Sequence, residues 1–104
     1  MSTLKKQNEY KIPPDLADII PGYLERRELD ILALKIFALN EDFSSIAKLG
    51  HKLKGNGSSF GFDRISELGT LFMRSCESRN LLEIKELISA FEAELKKIRK
   101  NIFL

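Results

Sequence analysis

The sequence predicts an all-α fold, an antiparallel up-and-down four-helix bundle with a short additional helix at its N-terminal end. Three observations carry that expectation. Apolar residues recur at spacings of three, four and seven along four successive stretches, as amphipathic helices require. The period-two alternation of a half-buried strand is absent, and proline is confined to the start of the chain, at positions 13, 14 and 21. The joins between the stretches are only a few residues long, which makes consecutive helices antiparallel neighbours around one core. A chain of 104 residues with 43% hydrophobic and 31% charged content is long enough to bury such a core without staples.

Residues 1–12 are polar and unpatterned and are expected to form a flexible tail, leaving residues 13–104 as the single domain. Pro13 and Pro14 suit a first helical turn and Asp15 complements the helix dipole there, so a short helix opens at this point with Leu16, Ile19 and Ile20 as its apolar face. Pro21 ends that helix and can start the next, Gly22 to Leu39. In it Leu24, Ile31, Leu34 and Ala38 form one seam and Leu32, Ile36 and Leu39 a second, which predicts burial on two sides. Asn40, Glu41 and Asp42 are polar punctuation, and Asp42 or Ser44 can cap the third helix.

Gly61 is placed to end that third helix in the left-handed conformation, and Asp63 can cap the helix Arg64 to Arg79, which buries Ile65, Leu68, Phe72 and Cys76. Asn80 and Glu83 have capping-box spacing for the last helix. Its stripe of Ile84, Leu87, Ile88, Phe91, Leu95, Ile98 and Ile102 is the cleanest in the chain. Lys96, Lys97, Arg99 and Lys100 in its final turns complement the dipole rather than mark a nucleic-acid surface.

Composition excludes several function classes. A formal charge of +2, with the basic residues spread among 15 acidic ones, does not call for nucleic acid. The one cysteine, Cys76, cannot form an internal disulfide and suits a reducing cytoplasm. No apolar run approaches the ~20 residues that cross a bilayer, so no membrane partner is expected. One histidine and one cysteine on different helices are not zinc spacing, no serine–histidine–carboxylate set can be assigned, and the glycine run 55–61 misses the dinucleotide fingerprint and lacks a Walker lysine. The expectation is therefore a cytoplasmic monomer with no metal and no cofactor. An initiating Met1 followed at once by the tail fits a free-standing protein.

The stretch Ser44 to Asp63 stands out from this scaffold. It holds the only histidine and three closely spaced glycines, Gly55, Gly57 and Gly61. Read as a helix, its apolar residues Ile46, Leu49, Leu53 and Phe60 share one stripe, and His51 points roughly 170° away from it. His51 is thus expected in solvent, on a small-sided basic face made with Ser44, Ala47, Lys48, Lys54, Gly55 and Ser58. A glycine inside a helix costs about 0.5–1 kcal/mol against alanine, so Gly50, Gly55 and Gly57 together are expensive and need a reason. Gly57 lies near the stripe and can let a neighbouring helix close in. Gly55 faces outward, where losing a side chain improves no packing but opens the backbone to something docking from outside.

The run His51-Lys52-Leu53-Lys54-Gly55, followed by Gly57-Ser58-Ser59-Phe60-Gly61-Phe62, resembles the signature of histidine-containing phosphotransfer (HPt) domains, the intermediates of two-component phosphorelays. The resemblance extends upstream through residues 16–27 and downstream through Ser66-Glu67-Leu68-Gly69, and covers most of residues 13–104. It implies that His51 carries a phosphoryl group, that Lys54 lies beside it, and that Gly55 leaves room for a receiver domain. Lys48 and Ser58 are further candidates for phosphoryl-stabilising or docking contacts. It implies, too, that response-regulator receiver domains and a hybrid sensor kinase are the partners, that the receiver brings the aspartyl phosphate, its Mg²⁺ and its own lysine, and that this chain is a carrier rather than an enzyme. Asn56 departs from the pattern, which commonly has a smaller residue there; it faces the edge of the stripe, where packing rather than chemistry is affected.

Two other classes compete. A histidine kinase dimerisation helix pair also exposes a phosphorylatable histidine, but usually follows it with an acidic residue and later a proline, where this chain has Lys52 and Gly55. A bundle that only binds another protein or nucleic acid through the basic face of the third helix would leave His51 incidental.

Overall fold

The computed structural model describes Tyr10 and residues 12–102. Most of the expected tail, residues 1–9 and 11, lies outside the described residues, while Tyr10 rests its ring 5.6 Å from that of Phe62 and accepts a hydrogen bond from Asn101. A 3₁₀ turn, Pro14–Ile19, runs without a break into α1, Ile20–Leu39. Three further helices follow: α2, Phe43–Ser59; α3, Asp63–Glu77; and α4, Leu81–Ile102. No strand occurs among the described residues, and the all-α bundle expected from the sequence is what the chain forms.

Side-chain pairs fix the antiparallel order. Glu28 and Lys35 of α1 meet Arg99 and Glu92 of α4, so α4 runs back along α1. Gly50 and Gly57 of α2 meet Gly69 and Ser66 of α3 in the same reversed sense, and Arg79 just past α3 lies 4.6 Å over the ring of Phe43 at the start of α2. Between the helices lies one core, in which Leu24, Leu34, Ile46, Leu53, Ile65, Leu68, Phe72, Ile84, Phe91 and Ile98 are essentially inaccessible. The α4 stripe is buried at all seven positions named above.

Several local expectations change. Pro21 does not interrupt the chain's helical path; it occupies the first turn of α1, where its missing N–H has no partner to lose. Of the apolar face expected there, Leu16 is half-buried and Ile19 exposed, and the one buried member, Ile20, is the first residue of α1 rather than part of the 3₁₀ turn. The second seam of α1 is open to solvent: Leu32 is 57% exposed, Ile36 57% and Leu39 83%, and Leu29 beside them 64%. A helix at a corner of a four-helix bundle has two neighbours, and for α1 these cover only the sides facing α2 and α4.

The helix ends combine sequence-legible and hidden solutions. Asp42 caps α2, accepting the Ser45 N–H at 3.1 Å and the Ser45 hydroxyl at 2.6 Å, and Ser44 does not. α2 ends at Ser59, one residue before Phe60, so Phe60 leaves the helical stripe and stacks on Tyr23 at 4.2 Å instead. Gly61 follows with φ +92°; Phe62 N–H reaches back to Gly57 C=O and Gly61 N–H to Ser58 C=O, a Schellman closure that needs the left-handed residue at this point. Asp63 is not the cap of α3 but its first residue. Asn80 does accept the Glu83 N–H, yet the Glu83 carboxylate accepts from the buried Ser75 hydroxyl of α3 rather than completing a capping box.

Candidate functional site

All five residues singled out by the sequence lie on α2, and all are exposed: Lys48, His51, Lys54, Gly55 and Ser58. They share the face opposite the buried Phe43, Ile46, Leu53 and Gly57, because an interval of three or four residues is close to one turn. The His51 imidazole has no hydrogen-bond partner among the described residues, so none of them ties up either nitrogen. Gly55, one turn further, has nothing within 4 Å of where a Cβ would stand. Open space, not close packing, surrounds it.

The helix's lysines are held apart by their surroundings. Lys48 lies near the N-cap: hydrogen bonds from the Ser45 hydroxyl and amide hold the Asp42 carboxyl below its ordinary range, and the Lys48 charge adds to them. Lys52 faces α1, where burial raises Asp30 while Arg27, and more weakly Lys52, pull it back. Lys54 enters no ion pair with another described residue. Its ammonium is therefore uncommitted among the described residues.

Three contacts that position this face were not legible in the sequence. A Cβ on Gly50 would lie 2.8 Å from the Gly69 carbonyl oxygen, and one on Gly69 2.5 Å from both the Gly50 carbonyl oxygen and the Lys54 nitrogen. The backbones of α2 and α3 thus touch at the level of His51. Asn56 accepts a hydrogen bond from the Tyr23 hydroxyl at 2.6 Å, joining α2 to α1. Burial pushes the Tyr23 phenol above its ordinary range even with Arg27 4.6 Å over the ring, so the hydroxyl stays a donor. The third contact is Ser66 of α3, whose hydroxyl reaches the turn after His51.

The family model described as Hpt domain matches residues 14–101 of this chain. The chain belongs to the Hpt domain family. Hpt domains serve histidine phosphotransfer in two-component systems, as phosphocarriers that meet receiver domains and kinases rather than as conventional enzymes. No curated protein and no solved structure matches the chain. The matched region of this Hpt chain contains all four helices except the last residue of α4. No helix among the described residues is long and apolar enough to cross a membrane, and no group of three or more metal-ligating side chains gathers among them.

Proposed function

We propose that this chain is a phosphorelay intermediate that accepts a phosphoryl group on His51 from the aspartate of a response-regulator receiver and passes it to another receiver aspartate, reversibly. The observation that carries the reading is the pairing of the chain's sole histidine, exposed and without a partner among the described residues, with an exposed glycine one turn away whose Cβ position meets nothing within 4 Å. In the step, the lone pair of the unprotonated ring nitrogen forms the P–N bond as the P–O bond to the aspartate breaks. The carboxylate leaves with the bonding electrons, and the proton on the other ring nitrogen stays. Imidazole is a nucleophile that can carry such a covalent intermediate.

Phosphoryl transfer proceeds mainly by positioning and charge neutralisation. The receiver brings the activated phosphate, Mg²⁺ and a lysine, while this chain brings the nucleophile and the uncommitted Lys54 ammonium, with Lys48 and Ser58 further along the same face. The open space over Gly55 admits the receiver's loops. Incubation with a phosphorylated receiver should transfer acid-labile phosphate to the parent chain without ATP, and none to a folded His51→Gln variant. Phosphate retained on His51→Gln would overturn the assignment, and labelling of the purified chain by ATP alone would favour a kinase fragment. Lys54→Ala should slow transfer or shorten the phosphohistidine lifetime with nearly unchanged melting; equal rates and lifetimes would remove Lys54 from the site.

A further inference from the structure

The turn after His51 contains two glycines, Gly55 and Gly57, so its backbone has more freedom to lose on folding than any other turn of α2. It is also the turn that carries Lys54 and the space over Gly55. A side chain of the neighbouring helix holds it. Ser66 Oγ of α3 accepts the Ser58 N–H at 2.7 Å and donates to the Lys54 carbonyl at 2.9 Å. Ser58 N–H and Lys54 C=O are the donor and acceptor of a single i→i−4 helical step, so one hydroxyl bridges a rung of α2's own ladder from outside.

Room for that hydroxyl comes from Gly57, where a Cβ would lie 2.5 Å from Ser66 N and 2.7 Å from Ser66 Oγ. Gly69, three residues further along α3, lies against the other end of the same residue: its Cβ position is 2.5 Å from Lys54 N. Lys54 is therefore gripped at its carbonyl by a hydrogen bond and at its nitrogen by close backbone contact. Neither grip restrains its ammonium.

We propose that Ser66 is a positioning residue for phosphoryl transfer: its hydroxyl fixes the turn Lys54–Ser58, and so sets where the Lys54 side chain and the clearance over Gly55 stand relative to His51. The proposal deepens the phosphocarrier reading and rests on it. Ser66 acts through the backbone of Lys54 and not on the phosphoryl group. Docking of a receiver must bring the reacting atoms to about 3–3.5 Å, and a misplacement of about 1 Å can cost up to ~100-fold in rate. A small donor that needs only an accessible imidazole is insensitive to that geometry.

The test compares parent and Ser66→Ala in three measurements: single-turnover transfer from a phosphorylated receiver, labelling by phosphoramidate, and the amide resonance of Ser58. Transfer from the receiver is expected to fall about tenfold, phosphoramidate labelling to stay at the parent's rate, and the Ser58 amide resonance to move because its acceptor has changed. Receiver transfer at the parent's rate, an equal loss with both donors, or an unmoved Ser58 resonance would each overturn the positioning role. If the parent itself accepts nothing from any receiver, the phosphocarrier reading fails first, and a moved Ser58 resonance then marks a structural contact only.

Discussion

At Gly55 an added Cβ meets nothing within 4 Å, whereas at Gly57, two residues on, it would lie 2.5 Å from Ser66 N. Neither glycine has a positive φ, so the difference is one of surroundings and not of backbone strain. Gly55→Ala should therefore stabilise the chain by about 0.5–1 kcal/mol and raise its melting temperature, since alanine has less unfolded-state freedom to lose. Gly57→Ala should lower it, because the atom met first is backbone nitrogen that cannot swing aside. Gly55→Gln should fold as well, yet transfer steeply more slowly, with its side chain in the space a receiver needs. A thermal melt and a transfer time course on these three variants decide the matter: a Gly55→Gln that transfers at the parent's rate shows the space is not needed for docking.

Among the elements, α2 is set by its ends as much as by its apolar stripe. Asp42 caps the start through two hydrogen bonds from Ser45, and the Gly61 closure fixes the end, from which Phe60 and Phe62 stack on Tyr23 at 4.2 and 5.7 Å. His51 is thus held between a pinned start and an end locked onto α1. The Asp42 carboxyl titrates below its ordinary range in the folded chain, so the stabilisation it adds is complete above the unfolded value of about 3.9 and is lost as the pH falls through the folded value. Asp42→Ala should melt below the parent at neutral pH, and the gap should narrow as the pH drops below about 4. A gap that stays constant from pH 7 to pH 3 would mean the charged cap contributes nothing.

For the whole molecule, the open face of α1 separates what holds the bundle together from what only looks as if it should. Leu29, Leu32, Ile36 and Leu39 keep more than half their surface in water, while Leu34 on the same helix keeps none. Replacing Leu29, Leu32 and Ile36 together with glutamine should change the melting temperature little, whereas Leu34→Ala should cost about 2–5 kcal/mol through lost burial and the cavity left behind. A large loss of stability in the triple variant would show that this face is covered in solution.

The sequence alone determined the helices, their order, the α4 stripe and the outward direction of His51 and Gly55, because apolar spacing fixes each residue's bearing about its own helix axis. It also placed Asp42, Asn80 and Gly61 at helix ends, where the chemistry is local to a few residues. What a bearing does not contain is which element stands opposite. The second seam of α1 has the spacing of a buried face and no neighbour to bury it. Asn56 reads as a poor fit at a stripe's edge until the Tyr23 hydroxyl, 33 residues away, is placed against it. Gly50 becomes meaningful only beside Gly69, and Ser66 only beside the Lys54–Ser58 rung it bridges. Those contacts belong to tertiary structure because each joins groups whose separation along the chain no periodicity encodes.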